Sequence, residues 1–147
     1  ASSLVGSEMC IRDRYRKYLK EDKLAEAEEI GKMYVDETVR TFAFFDSLLW
    51  NTYGRNVDQI YLCHDNRLNE DYLPMLIDRL EKDGYDFISL DEAMEDQVYH
   101  QPDSYWKKWG ISWCYRWMNS EERKAAMKAE PNLGGIEQRY MEETREQ

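Results

Sequence analysis

Two histidines, His64 and His100, and three cysteines, Cys10, Cys63 and Cys114, are the side chains best suited to chemistry in this sequence. His64 is the leading candidate because it directly follows the apolar run Ile60-Tyr61-Leu62-Cys63. In parallel α/β folds the active site forms at the C-terminal ends of strands. An imidazole in that place passes a proton near neutral pH. The competing reading is a solvated loop histidine. A metal centre made from Cys63, His64, His100 and Cys114 is a weaker idea. Neighbouring side chains on a strand point to opposite faces, so Cys63 and His64 do not readily share one ion. Both Cys63 and Cys114 read better as small buried apolar residues.

Two further clusters have a chemical and a bland reading. Asp91, Glu92, Glu95 and Asp96 bring four carboxylates together, and on a short helix they read as a solvated face. Tyr99, Tyr105, Trp106, Trp109, Trp113, Tyr115 and Trp117 crowd one stretch. Flat aromatic faces stack on sugars, but tryptophans at 106, 109, 113 and 117 also fit a helical stripe. Core packing is favoured, since aromatic burial carries a large free energy. No P-loop and no dinucleotide-binding glycine motif occurs. Gly110-Ile111-Ser112 continues into Trp113-Cys114 and lacks the closing glycine of a nucleophile elbow.

The elements that would position these residues follow from periodicity. Ile30, Tyr34, Thr38, Phe42, Phe45, Leu49 and Tyr53 recur at steps of three or four. They predict one long amphipathic helix over 23–53, N-capped by Asp22 and closed by Gly54. Phe42, Phe44, Phe45 and Trp50 are assigned to the core. The run 59–63 reads as a strand buried on both faces. A helix starting near Asn69 presents Leu73, Leu76 and Leu80 and ends at Gly84. A second strand spans 85–90, and Ser89-x-x-Glu92 is a capping box for a short helix through Met94. Alternating strands and helices argue for an α/β fold with two parallel strands. The tail 119–147 is charged, helical over 121–130 and then frayed.

Composition sets the outer bounds. The chain has 147 residues, 42% of them hydrophobic and 34% charged, which is one domain or a piece of one. Seven Gly and three Pro exclude a collagen-like or low-complexity chain. No apolar run approaches the ~20 residues of a membrane span. Three cysteines with no C-x-x-C spacing argue against a disulfide framework. Thirty acidic against twenty basic residues give a net charge of −10, which disfavours nucleic acid or an anionic membrane as the main partner.

Residues 1–14 show no amphipathic period and no secretion signal. Met9-Cys10-Ile11-Arg12-Asp13-Arg14 resembles the translation of a transposon end used as a sequencing-library adapter. The stretch is expected to be a non-native artefact, disordered or an arbitrary helical extension, contributing little to stability. Cys10 is set aside with it.

Two stretches together resemble the C-terminal part of polysaccharide deacetylases, the NodB-homology family. One runs from Gln59 through Leu62-Cys63-His64-Asp65-Asn66 to Leu73. The other runs from Gly84-Tyr85-Asp86-Phe87-Ile88 through Pro102-Asp103-Ser104-Tyr105 to Lys108-Trp109-Gly110-Ile111-Ser112-Trp113. The resemblance covers residues 15–118 and is specific over 59–113. It implies a partial (β/α) barrel, TIM-like, as the C-terminal fragment of a hydrolase that removes N- or O-acetyl groups from chitin-like, peptidoglycan or xylan substrates. In the family a divalent metal, often zinc, holds the attacking water, and an aspartate acts as base. A late-strand Leu-x-His supplies the acid. Leu62-Cys63-His64 matches it, so His64 would be the general acid and Leu62 would line the pocket for the acetyl methyl. Cys63 and Asp65 depart from the residues usual at those positions. The family's T-F-D-D-G, H-x-x-x-H and R-x-P-Y motifs do not occur. The resemblance therefore implies an inactive fragment with no metal site of its own, prone to self-association through an exposed barrel edge, from an exported parent. The alternative is a self-standing acidic interaction or sugar-binding module that uses the aromatic segment 99–117.

Overall fold

The computed structural model describes residues 2–108 and 110–131, with side chains from Ile11 onward. The order is α1 (Ser2–Lys20), α2 (Leu24–Tyr53), α3 (Arg67–Lys82), α4 (Leu90–Met94), a 3₁₀ turn (Gln97–His100), α5 (Trp113–Trp117) and α6 (Ser120–Ala129). Helix α2 is the spine. Its 30 residues extend about 45 Å at 1.5 Å per residue. The predicted stripe is the one it buries: Ile30, Tyr34, Thr38, Phe45 and Leu49 are all inside. Gly54 closes the helix at φ 70°, a left-handed turn that needs no Cβ.

Two cores lie along this spine. Its N-terminal half packs Ala27, Ile30, Tyr34 and Val35 against Ile11, Tyr15 and Tyr18 of α1 and Leu68, Leu76 and Leu80 of α3. Gly31 lies under the Tyr72 ring, where a Cβ would overlap it, so glycine allows α3 this close. The Tyr15 hydroxyl donates to Asp71 at 2.6 Å. Burial and that carboxylate raise the Tyr15 pKa well above its ordinary value. The C-terminal half of α2 packs Phe45 and Leu49 against Val57, Val98, Cys114, Tyr115 and Met118. Asp96 caps the 3₁₀ turn through the Val98 N–H at 3.0 Å and pairs with Arg55 at 2.7 Å. Helix α6 is fastened to this core where the Tyr115 hydroxyl meets Glu130 at 2.8 Å.

The predicted α/β barrel fragment is corrected: among the described residues there is no strand, sheet or barrel. Residues 56–65 and 85–89 form no regular element, and each packs on α2 rather than on a neighbouring strand. Tyr61 and Tyr85 both pack on Phe42, at ring distances of 5.5 and 5.7 Å. Gln59 and Tyr85 both bond to Asp46. Backbone groups that a ladder would use are taken by side chains instead. Asp58 C=O accepts from the Tyr99 hydroxyl, and the Ser89 N–H donates to Glu92. Nor is the run 59–63 buried on both faces, because Leu62 is exposed. Two isolated strands make a marginal sheet in water, and here both segments pack on α2 instead.

Smaller corrections concern the ends of α1. Asp22 does not begin α2. It closes α1 at φ 57°, with Asp22 N–H donating to Leu19 C=O and Lys23 N–H to Tyr18 C=O, a Schellman arrangement. Residues 2–14, which show no amphipathic period, lie within α1. The helix crosses residue 14 without a break, and Ile11 is 2% exposed. Of residues 11–14, Ile11 and Arg14 are buried. Trp50 was assigned to the core and is exposed. The capping box Ser89–Glu92 forms as predicted. The tail beyond Pro131 lies outside the described residues. No helix among the described residues is long and apolar enough to cross a membrane.

Two outcomes test this packing. Ile11→Ala is expected to cost about 2–5 kcal/mol, the usual range for emptying an aliphatic core position. An unchanged melting temperature would show that α1 does not belong to the core. The Arg55 guanidinium lowers the Asp96 pKa. Its contribution is therefore present above the unfolded aspartate pKa and is lost as pH falls through the depressed folded value. Asp96→Asn should remove that part of the acid unfolding limb while leaving the neutral-to-basic limb unchanged in shape.

Candidate active site

His64 sits at the end of the extended segment 56–65, and three ties hold that segment to the helices. The Tyr99 hydroxyl donates to Asp58 C=O at 2.6 Å. Tyr61 meets Tyr34, hydroxyl to hydroxyl, at 2.6 Å. His64 C=O accepts from Asn69 Nδ2 at 2.8 Å. The last two ties belong to one chain. The Tyr34 hydroxyl donates to Asn69 Oδ1 at 2.6 Å, so the Tyr61 hydroxyl is the donor to Tyr34. Tyr34 is fully buried and Asn69 is 3% exposed. Buried polar groups this well satisfied hold their neighbours in one geometry.

Local sequence builds the same corner. Asn66, in an extended conformation, accepts the Asn69 N–H at 3.0 Å and so N-caps α3. Asn69 thereby receives the cap on its backbone and holds His64 with its side chain. Leu68 beside it is wholly buried and anchors the helix start. The outcome is an alternation along the segment. Tyr61 and Cys63 are half-buried, while Leu62 and His64 face solvent. The two residues singled out by sequence are thus brought to the surface two positions apart, on a backbone fixed from beneath.

The other candidates do not join them. His100 is exposed at the end of the 3₁₀ turn. Cys114 is buried in the second core, and burial pushes its thiol up to about 12, which keeps it protonated and unreactive. Among the described residues no three of His, Cys, Asp and Glu come together as a metal-holding group. The described residues therefore do not fit the divalent metal that the family resemblance implies. Of the four carboxylates, Asp91 and Glu95 are solvated as expected. Glu92 serves the capping box and Asp96 the Arg55 pair. The aromatic stretch divides. Tyr115 is core and Trp117 packs edge-on to Tyr99 at 5.3 Å. Trp113 is half-exposed and Trp106 is 87% exposed, so the core assignment fails for both. Trp109 lies outside the described residues.

Sequence reasoning missed Tyr34, Tyr61 and Asn69 as the residues that place His64. Tyr34 was legible only as one member of an apolar stripe. Nothing in the spacing ties its hydroxyl to an asparagine 35 positions later.

No family model, no curated protein and no solved structure matches the chain.

Asn69→Leu should cost about 1–3 kcal/mol, because the buried Tyr34 hydroxyl loses its acceptor, while His64 C=O keeps Asn66 Nδ2 at 3.3 Å. Tyr34→Phe in the same background should add less than it does alone, because the two act in one network. Urea unfolding gives the energies, and the His64 ring signals in NMR report the local shift. Unaltered stability with unmoved His64 signals would mean that the network does not hold the histidine.

Proposed function

We propose that this chain is the acid-supplying C-terminal portion of a carbohydrate deacetylase. The observation that carries the reading is the pairing of exposed Leu62 and His64 on a segment fixed by Tyr34, Tyr61 and Asn69. The match of Leu62-Cys63-His64 to the family's Leu-x-His supports it from the sequence side. In this reading the His64 imidazolium protonates the leaving amine or sugar alkoxide as the bond to the acetyl carbon breaks. Without a proton that group departs poorly. Leu62 offers an apolar wall to the acetyl methyl. A fixed backbone suits an acid catalyst, which must stand within hydrogen-bond reach of the leaving atom. The metal and the base belong to a separate portion of the enzyme. The exposed apolar side chains of Phe87, Ile88 and Leu90 give that portion a surface to pack on.

The test is a longer polypeptide in which this chain follows the metal-binding portion of a deacetylase. There His64→Ala should lower kcat about 10²–10⁴-fold on acetylated chitooligosaccharide or xylan. Metal content should stay the same. The 147-residue chain alone should show no turnover. Retained kcat in the variant would remove His64 from the chemistry, loss of metal would make it a ligand, and turnover by the short chain would refute the fragment reading.

A further inference from the structure

Helix α6 turns a polar face inward. No residue of the helix is fully buried, and over 120–130 only Arg123, Ala126 and Glu130 are half-buried. Those positions, three and four apart, lie on one side of a helix. A helix that belongs to a core normally presents an apolar stripe there. Here the stripe is a guanidinium, one methyl and a carboxylate, while Met127 is exposed. Polar ties do the holding. Arg123 Nε donates to Tyr115 C=O at 2.8 Å, and its Nη2 donates to Met118 C=O at 2.6 Å and to the Ser104 hydroxyl at 2.7 Å. The same guanidinium lies 5.1 Å from the centre of the Tyr105 ring. One arginine thus joins α6 both to the end of α5 and to residues 104–105.

The helix start is self-contained. The Asn119 side chain accepts from the Glu121 and Glu122 N–H groups, and the Glu122 side chain accepts from Asn119 N–H at 3.1 Å. Met118 and Asn119 are extended, at ψ 151° and 170°, so the joint between α5 and α6 is a pair of non-helical residues. Cys114, Tyr115 and Met118 are buried in the second core, and Ala126 of α6 packs against that core. The Glu130 carboxylate acts electrostatically on the Cys114 thiol, which places the end of α6 beside that cysteine. Apolar burial is the main source of folding stability, and segments with little of it open locally while the rest stays folded. We propose that α6 is a latch, opening as one unit about Met118–Asn119 while both cores stay folded, with Arg123 as its bolt. Closed, it hides Cys114; open, it presents that thiol to solvent. The latch does not involve His64 and stands apart from the deacetylase reading.

The experiment uses the full chain with Cys10→Ser and Cys63→Ser, which leaves Cys114 as its only thiol. A chromogenic disulfide reagent reads the rate at which that thiol becomes accessible, in water and in low urea. Circular dichroism follows global unfolding of the same samples. The expected labelling rate rises only slightly with urea, much less than the global unfolding constant does, because a local opening exposes little surface. Arg123→Ala should speed labelling about tenfold or more, since it removes several charge-assisted hydrogen bonds at once. The shallow urea dependence should persist, and so should cooperative unfolding of the helices. Tyr115→Phe, which loses the hydroxyl that donates to Glu130 at 2.8 Å and keeps the ring, should speed labelling as well. Three results would each overturn the proposal: labelling that follows global unfolding in the parent, a rate unmoved by both variants, or loss of cooperative folding in Arg123→Ala.

Discussion

The Tyr34 hydroxyl is the point on which the site and much of the fold depend. It lies in the middle of the longest helix, with no solvent access, and must find its partners inside the protein. It finds Asn69 at the start of α3 and Tyr61 on the extended segment. One polar atom thereby joins three parts of the chain that no apolar contact could hold in so definite a register. Apolar packing is tolerant of small slides, but a buried hydroxyl left without its partners costs on the order of 1–3 kcal/mol. The cost of breaking the network is what makes the position of His64 a consequence of the core.

The same helix explains why two extended segments coexist without forming a sheet. Tyr61 and Tyr85 dock on Phe42, and Asp46 accepts from both Gln59 and Tyr85. Each segment spends its inward side chains on α2 and leaves Leu62, Phe87 and Ile88 facing water. Side chains meet several of the backbone groups that strand pairing would otherwise use. The second core repeats the scheme farther along the spine, where Phe45 and Tyr115 pack with ring centres 5.5 Å apart.

A division of labour between backbone and side chain follows. Around residues 61–69 the main chain is tied down while Leu62 and His64 are exposed. Around residues 103–106 the arrangement recurs, with Arg116, Arg123 and Asp103 as the ties and Trp106 as the exposed group. Both places put an exposed side chain on an irregular segment held by neighbouring helices.

Local physics was legible in the sequence. The stripe of α2, its glycine end, the capping box at Ser89 and the Leu76–Leu80 face of α3 each depend on residues within a few positions of one another. The burial of Cys114 was legible too. What the sequence could not decide was which surface each apolar segment would meet. Ile60-Tyr61-Leu62-Cys63 has the composition of a buried strand, and only the presence of α2 alongside, with Tyr34 and Phe42 turned toward it, made it a one-sided extended segment. Asp22 has the chemistry of a helix start, and only the arrival of α1 made it a helix end. Periodicity reports the neighbours of a residue along the chain. The partners of Tyr34, Asn69 and Trp106 are set by contacts, or by their lack, between segments far apart in sequence, and those exist only once the helices have packed.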